Sequence, residues 1–168
     1  MKVTNVYNLK DYVNVNDDHS SIRGYVVMTD ENGKTLFAKN NMIVKKGREI
    51  IQNCVAESVF GKGEGNTLTF SEIKFGDKND VTKSDDTDLH GNECLTYEKS
   101  KIDISNGDRC IILKTTITLT DEDVDTIISE AGLFCGEKEA ETMFSRVAFA
   151  PLTIRTGTAY TLNYYIYF

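Results

Sequence analysis

Apolar residues come in short runs along this chain, and most of the runs alternate with polar positions. IRGYVVMT, from Ile22 to Thr29, is rich in β-branched and aromatic residues; DENGK then supplies a turn with Gly33, and TLFAK resumes an extended pattern, so a hairpin is predicted. TLTFSEIKFG, from Thr67 to Gly76, alternates Leu68, Phe70, Ile73 and Phe75 imperfectly, which predicts a strand bulged near Ser71. CLTYEKSKIDIS and RCIILKTTITLT flank NGD, where Asn106-Gly107 predicts the turn between two strands. IISEAGLF and TMFSRVAF follow as strands on either side of GEKEAE, the second ending at Pro151, the only proline. PLTIRTGTAYTLNYYIYF closes the chain with an alternation that turns Leu162, Tyr164 and Ile166, or their neighbours, inward.

One segment has a different period. KKGREIIQNCVAESVF brings Ile50, Ile51, Cys54, Val55 and Val59 to one face at spacings of three and four, predicting the only substantial helix, about 46–59. GKGEGN after it reads as a flexible exit, since its glycines lack the spacing and the Lys-Ser/Thr ending of a phosphate-binding loop. Many short strands, frequent turns and one helix predict a mainly β chain: an antiparallel β-sandwich or barrel, with residues 22–168 as a single β-rich domain. Residues 1–21 mix Asn and Asp with scattered Val and Tyr, and read as an N-terminal arm or an edge strand.

Composition narrows the function classes. At 168 residues and 40% hydrophobic, the chain has enough apolar material for one core. A formal net charge of -7 argues against the broad basic face that nucleic acid or anionic lipid demands, so neither is an expected partner. Cys54, Cys94, Cys110 and Cys135 form no CxxC pair and no histidine completes a zinc pattern, so free thiols and no cofactor are expected. No apolar run approaches the roughly 20 residues of a membrane helix.

The chemistry-bearing residues are sparse. His19 and His90 lie in polar segments away from any nucleophile motif, so both are expected at the surface and no catalytic residue is assigned; the chain reads as a non-enzyme. Asp77, Asp80, Asp85, Asp86 and Asp88 crowd the loop 77–93 without the spacing of a calcium-binding hand, which favours a solvated acidic loop over a cation site. Asp121, Glu122, Asp123 and Asp125 read as a charged turn shielding strand edges. Glu130 is the exception, a carboxylate inside an apolar strand. Arg146 on the next strand is its natural counterpart, and a bidentate pair would relieve the cost of burying both ions. Tyr164 and Tyr165 on the terminal strand are lesser candidates for stacking on a sugar.

From Gly47 to Phe168 the order of features is more specific than any one of them: a helix with GREIIQN, the strand EIKFGD, the acidic loop with DDTDLHGNE, paired strands, ISEAGLF, RVAFAP, and an alternating terminal strand. This order resembles the tail-collar and fibre-attachment domains of tailed-bacteriophage virion proteins. Glu130, Gly132, Leu133, Phe134, Arg146, Phe149 and Pro151 match the recurring positions. The resemblance implies a structural protein of the tail, neck, collar or fibre base, found in the virion and assembled in the bacterial cytoplasm. Its implied partners are copies of itself and other virion proteins. The alternative is a phage module that binds carbohydrate or the host surface.

Overall fold

A computed structural model describes residues 22–60, 68–120, 122–136 and 141–168, and of 57–60 only the backbone. The N-terminal arm, the glycine-rich exit 61–66 and His19 lie outside the described residues. The elements are β1 (Arg23–Asp30), β2 (Thr35–Ile43), α1 (Lys45–Phe60), β3 (Phe70–Gly76), β4 (Glu93–Glu98), β5 (Ile102–Gly107), β6 (Cys110–Thr118), β7 (Thr126–Cys135), β8 (Thr142–Ile154) and β9 (Ala159–Tyr167). Every ladder between named strands is antiparallel, in the spatial order β4-β3-β7-β8-β2-β1-β9-β6-β5. The chain is mainly β, as its alternation predicts.

Two corners turn this sheet into a nearly closed barrel. β4 and β5 sit at opposite ends of the strand order yet are consecutive in the chain, joined by the 3-10 turn Lys99–Lys101. CLTYEKSKIDIS is therefore two strands on two leaves, where its composition suggested one. β2 makes the second corner: Thr35 to Asn41 run beside β1, while Met42 and Ile43 pair with Arg146 and Ser145 of β8. Between the leaves, Val26, Met28, Leu113 and Leu162 meet Ile73, Phe75, Leu133 and Val147 in one buried cluster. Strand alternation produces this directly, because every second residue of β9 and of the second half of β6 faces the cluster.

Several local expectations move. The bulge near Ser71 is present, between the pairs Phe70↔Cys135 and Glu72↔Phe134. Asn106 and Gly107 are not the hairpin turn: they pair with Ile111 and Cys110, and the two-residue loop is Asp108-Arg109, with Arg109 at φ 57°. The ladder continues two residues further than the Asn-Gly signal implied. β8 does not stop at Pro151 but runs through it to Ile154. Phe149 to Pro151 lie opposite Ser129 alone, between the pairs Ile128↔Leu152 and Glu130↔Ala148, and such a bulge tolerates a residue that has no N–H. On α1, Ile51 is buried but Val55 is 55% exposed, so among the described positions of the predicted face Val55 turns to solvent.

Tyr164 belongs to the core, at 0% exposure, and is withdrawn as a sugar-stacking candidate. Burial pushes its phenol well above the ordinary range, and among the described residues its hydroxyl has no hydrogen-bond partner. A Tyr164→Phe change removes that buried polar group while keeping the ring, so stability should stay level or rise by about 1 kcal/mol. A loss of more than about 2 kcal/mol in urea denaturation would instead reveal a buried partner for the hydroxyl.

Candidate functional site

The outer face of β3, β7 and β8 carries the polar centre of the molecule. The register sets Glu130 opposite Gly76, and Gly132 opposite Lys74 on one side and Arg146 on the other, so these residues share a face. An outward sheet face would normally be wet. Here residues 77–92 fold back across it, and β7 is buried on both faces from Ile128 to Cys135.

Arg146 is the centre of this arrangement and is fully buried, as is Glu130. Its Nε donates to Glu130 Oε2 at 2.7 Å, its Nη1 to Asp86 Oδ2 at 3.0 Å, and its Nη2 to the Asp80 carbonyl at 3.3 Å. The pair that sequence placed between Glu130 and Arg146 is thus brought together, but not as a bidentate fork. The guanidinium spreads its donors over β7 and two points of the loop. One arginine therefore ties three segments together.

Glu130 is equally committed. Its Oε2 also accepts the His90 amide at 3.1 Å, and its Oε1 accepts the Gly91 amide at 2.6 Å. Gly76 makes room for it, since a Cβ at 76 would lie 2.5 Å from Glu130 Oε1. Asp86, 8% exposed, receives the Lys83 amide at 2.9 Å on Oδ2, while the His90 ring sets Nε2 3.0 Å from Oδ1. Burial alone would push the Asp86 carboxyl up, yet the Lys83 amide, Arg146 and His90 hold it below the ordinary carboxylate value.

The loop is also pinned at its neck and flank. Asn92 donates its amide and its side-chain nitrogen to the two oxygens of Asp77, at 2.9 and 3.0 Å. A Cβ on Gly91 would collide with Asp77 Oδ1, so the neck closes this tightly only over glycine. The Lys45 amide donates to the Ser84 carbonyl at 2.7 Å, joining the loop to the start of α1. Leu89 packs with Val44, Phe134 and Met143, and Lys74 lies 4.8 Å from the centre of the Phe134 ring. Loop 77–93 keeps Asp77, Asp80, Asp85 and Asp88 exposed, as its composition suggested, but it is also a fastened cover, drawn in through the buried Asp86; His90 is half-buried in it, not a free surface histidine. No group of three or more His, Cys, Asp or Glu side chains among the described residues is arranged to hold a metal ion.

The other matched positions are structural in the same sense. Gly132 lets Leu89 and Met143 approach the sheet, a Cβ there falling 3.1 Å from each. Leu133 is in the core, Phe149 stacks on Phe37 with ring centres 4.1 Å apart, and Pro151 lies in the β8 bulge. Tyr165 is half-buried on the outer face of β9, with Tyr25 at 6.5 Å and Tyr167 at 6.4 Å between ring centres. Burial pushes the thiols of Cys94, Cys110 and Cys135 up, the opposite of an activated nucleophile. Sequence reasoning missed Asp86, Asp80 and the His90–Gly91 amides as partners. The available signal was Leu89, an apolar residue in an acidic loop with nothing local to pack on.

Arg146→Ala leaves two buried carboxylates without their cation and should cost about 3 to 5 kcal/mol at neutral pH. The wild-type benefit has a defined acid limb. Because the folded Asp86 carboxyl sits below its unfolded value, its stabilisation is complete above the ordinary carboxylate range and fades as pH falls below about 4. Without Arg146 that depression weakens, so the gap between wild type and variant should shrink on acidification. Denaturant titrations of both proteins from pH 7 to pH 3 check this; a gap that stays constant would refute the Asp86–Arg146 coupling.

No family model matches the chain, and neither characterised proteins nor solved structures give a significant match.

Proposed function

We propose that this chain is a structural virion protein of a tailed bacteriophage, acting as a tail, neck/collar or fibre-attachment connector that assembles with itself and with other virion proteins. One observation carries most weight. The residues that give the resemblance, from Glu130 to Phe134 and from Arg146 to Pro151, converge on β7 and β8 and are used up in fastening the chain to itself. The buried charges have internal partners and the thiols of Cys94, Cys110 and Cys135 are not activated, which supports a scaffold over a reaction centre. The order of weak motifs supplies the phage assignment. Sedimentation of the purified protein, with a search for the chain in purified particles, tests the reading: defined oligomers or incorporation are expected. A chain that stays monomeric and is missing from particles would end it.

A second reading is a carbohydrate or host-surface binding module. It is favoured by the exposed part of Tyr165 beside the near-parallel ring of Tyr167, an aromatic surface of the kind that sugar rings stack on. Binding on a glycan array should then drop sharply with Tyr165→Ala, and an array with no signal for the wild-type protein would remove this reading.

A further inference from the structure

Resting on the virion reading, the geometry points to the free edge of β2 as the acceptor for an extended strand from a second copy, and we infer that residues Tyr12 to Asn16 of that copy's arm supply it. The barrel has a seam at its second corner. β2 and β8 share only the pairs Met42↔Arg146 and Ile43↔Ser145. From there the strands part, and among the described residues Thr35 to Asn41 are laddered to β1 alone. The Phe37–Phe149 stack fills the base of the seam, and the Lys39 ammonium donates to the Ala148 carbonyl at 3.3 Å. A groove of about 440 Å³ opens beside it, lined in part by Leu36, Leu152 and Thr153.

The two sides of the seam are not equivalent. On β8, the bulge at Phe149 to Pro151 and the proline's missing N–H spoil the template for another strand. On β2, the register to β1 is regular from Phe37 to Asn41, and Ala38, Lys39 and Asn40 are exposed. Unpaired backbone groups on such an edge accept a guest strand with main-chain hydrogen bonds.

The 21 residues before Ile22 fit the guest's chemistry and position. They contain neither glycine nor proline, and Tyr12-Val13-Asn14-Val15-Asn16 has the two-residue period of a half-buried strand. They lead into β1, whose Gly24 pairs with Asn41, so β1 begins at the closed end of the seam. Fully extended, 21 residues span about 70 Å, enough to reach a neighbouring copy. Antiparallel pairing with the chain's own β2 would make the guest parallel to β1, which calls for a crossover of about a dozen residues. Only residues 17–21 are available between Asn16 and Ile22. Exchange between copies meets no such limit, and passing each arm to the next copy gives a repeating contact that closes into a ring or propagates.

Sedimentation velocity and amide hydrogen exchange on the full chain test this. Wild type should self-associate, with the amides of Phe37 to Asn41 slowing as concentration rises. The double change Val13→Asp and Val15→Asp should weaken association about tenfold or more, restore fast exchange on that edge, and leave the melting temperature of the barrel unchanged. Ala38→Pro and Lys39→Pro supply the reciprocal arm: neighbouring N–H groups point alternately toward and away from β1, so one of the two should keep the barrel's melting temperature while losing association. A double variant that associates as tightly as wild type overturns the inference and leaves the virion reading standing if the chain is in particles. A monomer with a protected β2 edge, meaning the arm docks on its own barrel, overturns it as well.

Discussion

A guanidinium with no access to water is the constraint around which the outer face of this barrel is organised. Taking Arg146 and Glu130 out of solvent carries a desolvation penalty of several kcal/mol per ion, and a single contact between them at 2.7 Å does not offset it. The remainder comes from further hydrogen bonds to both groups. Arg146 also reaches Asp86 and the Asp80 carbonyl, while Glu130 collects two consecutive backbone amides from His90 and Gly91. Those partners all come from residues 77–92. The buried pair and the folded loop are therefore one structure, because each supplies hydrogen-bond partners to the other.

That dependence explains features that look unrelated along the chain. Gly76 is small because Glu130 occupies the space above it, and Gly91 is small because Asp77 closes the neck of the cover. Leu89 supplies the apolar anchor on Phe134 and Met143, which dries the site and strengthens the ion pairs beneath it. A hydrophobic residue at 146 would fill volume on the sheet but would give the loop no directional bond. Charge here determines where the loop lies more than how stable the barrel is.

Much of this was legible in the sequence, and the failures share a cause. Strand alternation located eight of the nine strands, and the isolated Glu130 announced a partner that Arg146 was placed to be. Period and composition are local signals, and each error arose where a distant contact overrode one. Of five aspartates that look solvated in one loop, four are exposed, and only the fifth, Asp86, is drawn inward by Arg146, 60 residues away. KSK inside CLTYEKSKIDIS looks like the middle of one strand, and only the need to change leaves makes it a corner. Tyr164 and Tyr165 are neighbours of the same type, yet one faces the core and the other the outside, a difference set by the phase of β9.

The two corners of the barrel solve the same geometrical problem in different ways. At β4 and β5 the chain itself turns the corner, through a 3-10 turn that Thr115 holds by donating its hydroxyl to the Lys101 carbonyl at 2.9 Å, and covalent continuity keeps the leaves together. At β2 and β8 closure depends on two paired residues, one aromatic stack and a few hydrogen bonds, among them Lys39 to the Ala148 carbonyl and Asn41 to the Ser145 hydroxyl. The second of those paired residues on β8 is Arg146 itself, bonded through its backbone to the seam and through its side chain to the cover. Tightening the cover therefore fixes the point from which β2 and β8 diverge. The polar network and the open seam are linked through a single residue, so the free edge of β2 starts from a fastened origin rather than from a loose strand end.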